Sequence, residues 1–209
     1  MTQIQSGASA DLLTIDPTFG AARVSIRPPE VTGAYRMSLR SGNIAAATAA
    51  NSMLAAFRYT GTGIAIIHSI RVGLHLITAY TAGSVVLSAF LTRSYTVTET
   101  TNYTAATMTG NKLRSSYAAS SALFGIATTT GISGGTGTDD SHPTGSCTFN
   151  LPNTITGQPI QDFYTMSMQS HPILLTQNEG FRIRNDTAFA ATGVSNLVVS
   201  IEWAEAAAY

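Results

Sequence analysis

Ile64-Ala65-Ile66-Ile67-His68-Ser69-Ile70-Arg71-Val72-Gly73-Leu74-His75-Leu76 decides the fold class. Ile64, Ile66, His68, Ile70, Val72, Leu74 and Leu76 stand at every second position, with Ile67 the apolar exception. A helix would scatter this set around its circumference, whereas a strand puts it on one face. The run is long for a single strand, so a bend is expected near Gly73. Downstream, Thr81-Ala82-Gly83-Ser84 reads as a turn, and Val85 to Tyr95 as a second long strand rich in β-branched and aromatic residues. The two strands are expected to lie side by side as an antiparallel pair.

The same period of two recurs on both sides. Upstream, Met53 to Tyr59 precedes the turn Thr60-Gly61-Thr62-Gly63, and Tyr35, Met37 and Leu39 alternate with Arg36, Ser38 and Arg40. Between them, Ser41 to Ala50 is Ala-rich but lacks a 3.6-residue apolar stripe, so it offers only a weak short helix. Downstream, Thr96 to Gly110 reads as a surface loop and Thr128 to Gly145 as a mobile Gly-rich loop. Further strands are expected at Leu123 to Ala127, Ser146 to Leu151, Phe163 to Met168, Ile173 to Leu175, Gly180 to Asn185 and Asn196 to Trp203. About eight to ten short strands with turn-rich connections predict an all-β domain over residues 35–209, a sandwich or jelly-roll-like barrel.

Residues 1–34 lack this periodicity. Asp16-Pro17 and Pro28-Pro29-Glu30 break any helix. The apolar pieces Leu12-Leu13-Thr14-Ile15 and Ala22 to Ile26 are too short to build a core of their own. They read as an extended N-terminal arm that packs on something else, with Leu12, Leu13, Ile15 and Phe19 as its anchoring side chains. The other reading is a pair of edge strands on the chain's own domain.

Composition excludes several function classes. Only 11% of the 209 residues are charged and the net charge is zero, so the polar surface must come mainly from Ser and Thr. Lys112 is the only lysine, and a neutral chain lacks the basic surface that general nucleic-acid binding needs. Little self-repulsion favours association. A single cysteine, Cys147, excludes an intrachain disulfide framework and a Cys-rich zinc site. No apolar run reaches the roughly 18 residues of a membrane span, and the opening residues lack the basic and apolar regions of a secretory signal.

Candidate chemistry is sparse. Gly131-Ile132-Ser133-Gly134-Gly135 matches the nucleophile-elbow pattern, but Thr-Gly-Thr-Asp-Asp follows it instead of a helix, so Ser133 reads as a loop residue. Asp139, Asp140 and His142 match no metal-loop spacing and read as a solvated turn. His68 falls on the apolar face of its strand and reads as a core histidine, while His75 and His171 have no sequence partner. Cys147 alternates with Phe149 and Leu151 as a small buried hydrophobe. Asn102-Tyr103-Thr104 and Asn185-Asp186-Thr187 are chance matches to the glycosylation sequon. Arg182 and Arg184 alternate with Phe181 and Ile183, which puts both guanidinium groups on one strand face, as Arg36 and Arg40 are on theirs. Arginine suits bidentate contacts at interfaces, and an ordinary solvent face is the competing reading. No enzyme chemistry and no cofactor is expected.

Gln5 to Pro17 and Ala21 to Pro28 resemble the N-terminal arms of small virion proteins of tailed bacteriophages. His171 to Arg184 and Val198 to Glu205 resemble the last strands of such proteins. The resemblance spans most of the chain, and its motifs are structural. It implies a capsid decoration (cement) protein with a jelly-roll-like domain, trimeric, made in the host cytoplasm and carried on the capsid surface. Its partners would then be the major capsid protein and further copies of itself, with neither nucleic acid nor membrane involved. The same arm-plus-sandwich design serves tail and head-fibre appendages, which bind a receptor or a glycan. On that alternative, exposed aromatics such as Tyr95, Tyr103 and Tyr117 would form a shallow site.

Overall fold

The computed structural model describes residues 31–155, 158–166 and 171–207. In chain order its strands are β1 (Val31–Arg40), β2 (Met53–Tyr59), β3 (Ile64–Thr78), β4 (Gly83–Val97), β5 (Tyr103–Ala105), β6 (Ala122–Ala127), β7 (Thr136–Asp139), β8 (Gly145–Leu151), β9 (Gln161–Thr165), β10 (Ile173–Leu175), β11 (Glu179–Asn185) and β12 (Val194–Ala206). They form two antiparallel sheets that face each other as a sandwich. The five-stranded sheet runs β1-β12-β3, with β9 and β10 sharing the far edge of β3. The seven-stranded sheet runs β5-β6-β2-β11-β4, with β7 and β8 sharing the far edge of β4. Twelve strands exceed the eight to ten expected because short strands formed inside both stretches read as loops.

Aromatic rings tie the sheets together. Phe57 of β2 stacks on Phe181 of β11 at 5.2 Å and meets Trp203 of β12 edge-on at 5.3 Å. Tyr35 of β1 stacks on Trp203 at 5.3 Å. All four are at least 99% buried, and burying each contributes roughly 1.5–3 kcal/mol. Leu197, Val199 and Ile201 continue the inward row of β12, as their alternation requires. Gly180 permits a close approach, since a Cβ there would lie 1.9 Å from the Phe57 carbonyl oxygen.

The long stretch that decides the fold behaves differently from its simple alternation. Trp203 pairs with Ile67 and Glu202 with Ser69, so His68 is an extra residue on β3, a bulge. The bulge reverses the phase. Ala65 and Ile67 face the core on one side of it, and Ile70, Val72, Leu74 and Leu76 on the other. Ile67 is therefore a core residue and not an exception, and His68 is half-buried instead of a core histidine.

The pairing of β3 with β4 is also corrected. They lie in opposite sheets, because the connection between them crosses the sandwich instead of making a hairpin. Tyr80 anchors that crossing. It is 2% exposed, its hydroxyl lies 2.9 Å from Ser195 Oγ, and its N–H donates to the Pro152 carbonyl.

Ser41 to Ala50 is not helical. Ile44 pairs with Ser195 in an isolated bridge, and Ala47 takes a φ of 56°. Residues 31–34, assigned to the arm by their lack of periodicity, belong to β1, an edge strand paired only with β12 among the named strands.

Candidate functional site

The arginine pair on β11 leads to the most elaborate polar structure of the described residues. Register places Arg182 between Ala56 of β2 and Phe90 of β4, on the sheet face that points away from the core. The chain then folds back over this face. Ser94 takes a φ of 50°, which breaks the alternation of β4 and turns Tyr95 toward Arg182. Glu99 follows one short loop later.

Arg182 Nε donates to Glu99 Oε1 at 2.9 Å and to the Tyr95 hydroxyl at 3.0 Å. Its Nη1 donates to Asp139 Oδ1 at 3.1 Å. Tyr95 O–H donates to Glu99, and Thr92 Oγ1 to Asp139. The Arg182 side chain is 6% exposed and that of Glu99 0%. Burial opposes the charge on Arg182, but Tyr95, Glu99 and Asp139 outweigh it and hold its pKa above the ordinary arginine value. Burial and the bond to Glu99 push Tyr95 well above the ordinary phenol range, so its proton stays in the network. Glu99 Oε2 and Arg182 Nη2 are buried without a hydrogen-bond partner among the described residues.

The glycine run closes this network. A Cβ on Gly135 would lie 2.5 Å from Glu99 Oε1, and Gly134 takes a φ of 89° against Thr100. Residues 128–145, expected as a mobile loop, thus hold a strand and two bridges. Ile132 bridges Met53, Ser133 bridges Thr101, and β7 pairs with β4. Ser133 is exposed and stands on a β-bridge, not on a strand-to-helix turn. The presumed solvated turn is likewise tied down, with Asp139 paired to Arg182 and Asp140 to Arg93 at 3.4 Å. Among the described residues no group of three metal-ligating side chains occurs.

Arg184 sits one row along the same face, 29% exposed at its side chain, with its guanidinium 3.6 Å from the Phe90 ring centroid and 3.4 Å from Asp186. Alternation did place both arginines on one face. Arg182, however, is spent inside the chain and has almost no surface for a partner, whereas Arg184 keeps some. Tyr95, Glu99 and Asp139 were missed as its partners. The available signal was Glu99, a lone acid in a Thr-rich run. Leu12, Leu13, Ile15 and Phe19 lie outside the described residues.

Among the described residues, the outer face of the five-stranded sheet is less covered. A shallow groove of about 620 Å³ is lined by Arg36, Met37, Ser38, Arg71, Ile160, Asp162 and Ser200. Arg36 pairs with Glu202 at 2.7 Å and Arg71 with Asp162 at 2.9 Å, while the Ser38 and Ser200 hydroxyls meet at 2.8 Å. The tyrosines named for a glycan site do not line this groove. Tyr95 is fully buried, Tyr103 packs over Gly125 and Tyr117 lies under Arg114.

The remaining candidates are also accounted for. Cys147 is buried, which pushes its thiol up to about 12 and keeps it protonated. Asn185 is fully buried and donates to the Ala49 and Thr187 carbonyls, so the folded chain cannot present it for glycosylation. His75, His142 and His171 are exposed on separate elements. No family model, curated protein or solved structure matches the chain.

Proposed function

We propose that this chain is a non-enzymatic structural protein of a bacteriophage virion. In this reading it decorates and stabilises the capsid, held by its N-terminal arm and by contacts between copies. The observation that carries the reading is strand order. β1-β12-β3-β9 facing β2-β11-β4-β8, with the chain crossing between sheets at most connections, is compatible with a jelly roll, an architecture of viral capsid and lectin domains. A fold alone does not assign function, so the charge distribution is the second support. Five arginines of the described residues are engaged in ion pairs, which leaves a Ser- and Thr-rich, nearly neutral surface suited to close packing against other protein. The partners are then the major capsid protein and other copies of the chain, as a homotrimer, on the capsid surface.

Removal of residues 1–30 from the full chain tests this reading. The sandwich is expected to remain folded by circular dichroism and to disappear from particles. Unchanged occupancy of the truncated protein on purified particles refutes it.

The groove over Arg36, Arg71 and Asp162 favours a second reading, an appendage that binds a receptor or glycan. Its hydrogen-bonding groups suit a sugar, but no aromatic side chain is among its described lining residues. Saturable glycan binding that Arg71→Ala abolishes, with a few copies per particle, would favour this reading over decoration.

A further inference from the structure

Register places Ser38 of β1, Ser200 of β12, Arg71 of β3 and Asp162 of β9 in one row across the outer face of the five-stranded sheet. The two serines are the short members of that row, and they form the floor of the groove described above. On one side of the row stands Arg36, two positions before Ser38 on β1. On the other side, in the row of Val198 and Gly73, stands Ile160. Gly73 is what seats it there, since a Cβ on Gly73 would lie 3.2 Å from Ile160 Cγ1. A glycine inside a long strand weakens the strand and marks a close approach, here that of a side chain laid over the sheet.

Each arginine of the groove is held at a single nitrogen. Arg36 Nε lies 2.7 Å from Glu202 Oε1, and Arg71 Nε donates to Asp162 Oδ1 at 2.9 Å. Among the described residues neither guanidinium makes a further hydrogen bond, so each keeps both terminal nitrogens for a ligand. An arginine already pinned at Nε loses less freedom when its planar fork takes a carboxylate. The lining residues hold two arginines against one acid, Asp162, a surplus of one positive charge on a chain of zero net charge. Glu202, which pairs with Arg36, does not line the groove.

We propose that this groove binds a saccharide bearing a carboxylate, such as a uronate. This rests on the second, glycan-binding reading above and names the class of sugar. The terminal nitrogens of Arg71 take the carboxylate, and Arg36 adds a second positive charge beside it. Ring hydroxyls find donors and acceptors in Ser38, Ser200 and Asp162 Oδ2, which accepts no hydrogen bond among the described residues. Ile160 and Met37 offer apolar contact to the C–H face of the ring. No aromatic side chain among the described lining residues covers that face, so the charge-assisted bonds are the strongest anchor on offer, and a neutral sugar forgoes them. The volume of about 620 Å³ falls inside the usual span of small-ligand sites, about 300–1,000 Å³. An acidic peptide would satisfy the arginines, but it leaves the hydroxyl floor unused and sets its further carboxylates against Asp162.

Titration calorimetry of the full chain with matched sugars tests this: cellobiouronate against cellobiose, and sialyllactose against lactose. The first pair differs only in a carboxylate that replaces a hydroxymethyl group. The expected result is saturable binding of an acidic member about tenfold or more tighter than its neutral partner, weakened by salt. Arg71→Gln is expected to lower that affinity about tenfold or more, and Arg71→Lys to lower it as well, since lysine keeps the charge but not the fork. An acidic preference that survives Arg71→Gln overturns the proposal. Should the Arg71 variants lose the wild-type circular dichroism spectrum, Arg36→Gln decides: it is expected to narrow the acidic preference, and an unchanged preference overturns the proposal. Equal affinity within each pair also overturns it and leaves the glycan reading standing. No saturable binding of any of these sugars removes both. Tighter binding of an oligoglutamate peptide than of either acidic sugar assigns the groove to a protein segment and overturns the proposal too.

Discussion

The outer faces of the two sheets start from the same sequence device and end in opposite environments. On β1, Arg36 and Arg40 alternate with apolar residues and stay in water, Arg36 beside Glu202 and Arg40 on the Asn196 side chain. On β11, Arg182 and Arg184 alternate in the same way, yet Arg182 is almost completely buried. The difference lies in what covers them. The chain from Tyr95 to Glu99 and the glycine run up to β7 fold over the second face, and among the described residues nothing comparable covers the first. A buried guanidinium must be paired and hydrogen-bonded, whereas an exposed one is satisfied by water. The covered face is therefore rigidly specified, and the arginines of the other face keep their exposure among the described residues.

Removing the charge from the covered face should give the largest effect. Arg182→Ala leaves Glu99 buried and unpaired, at an expected cost of about 3–5 kcal/mol in urea unfolding. Combining Arg182→Met with Glu99→Leu should cost less than the single change, since apolar replacement of both partners removes the desolvation penalty. If the double variant is the less stable, the two side chains are not coupled as described.

Tyr95→Phe deletes the hydroxyl that joins Glu99 to Arg182 without emptying the space its ring fills. Its cost should be about 1–3 kcal/mol by the same measurement, as for hydrogen bonds to charged groups. A neutral result would mean that the ring alone matters.

Acid should weaken the rim of the covered face. Burial works to raise the Glu179 pKa, but hydrogen bonds from Thr176 and Arg93 outweigh it and hold the carboxyl below its ordinary value. A depressed carboxylate contributes stability that is present above its unfolded pKa, about 4.3, and is lost as pH falls through the folded value. Glu179→Gln should flatten the stability profile in that acid window and leave its neutral limb parallel to that of wild type. An unchanged acid limb would assign the pH dependence to other carboxylates.

The smallest effect belongs to the open face. Arg36→Ala should change stability by less than about 1 kcal/mol, since an exposed ion pair contributes little. A loss comparable to that of Arg182→Ala would abolish the distinction between the faces.

Much of the fold was legible because backbone periodicity is local. The alternation in Tyr35 to Arg40, Ile64 to Leu76 and Leu197 to Trp203 marks strands whatever they pack against, and Cys147 with Phe149 and Leu151 marks an inward row. The candidate site was legible only in part. Alternation put Arg182 and Arg184 on one face, but the partners Tyr95, Glu99 and Asp139 lie on β4, the segment that follows it and β7.

By itself, then, the sequence determined the all-β class, the zero net charge and the shared face of each arginine pair, because these follow from period and composition. Only the tertiary structure decided which sheet each strand joins, that the bulge at His68 reverses the phase of β3, and that Ser94 turns Tyr95 onto Arg182. Sheet partners, bulges and covered faces depend on contacts between residues far apart in the chain. A glycine run has no pattern of its own to reveal that it is small because it closes over Glu99.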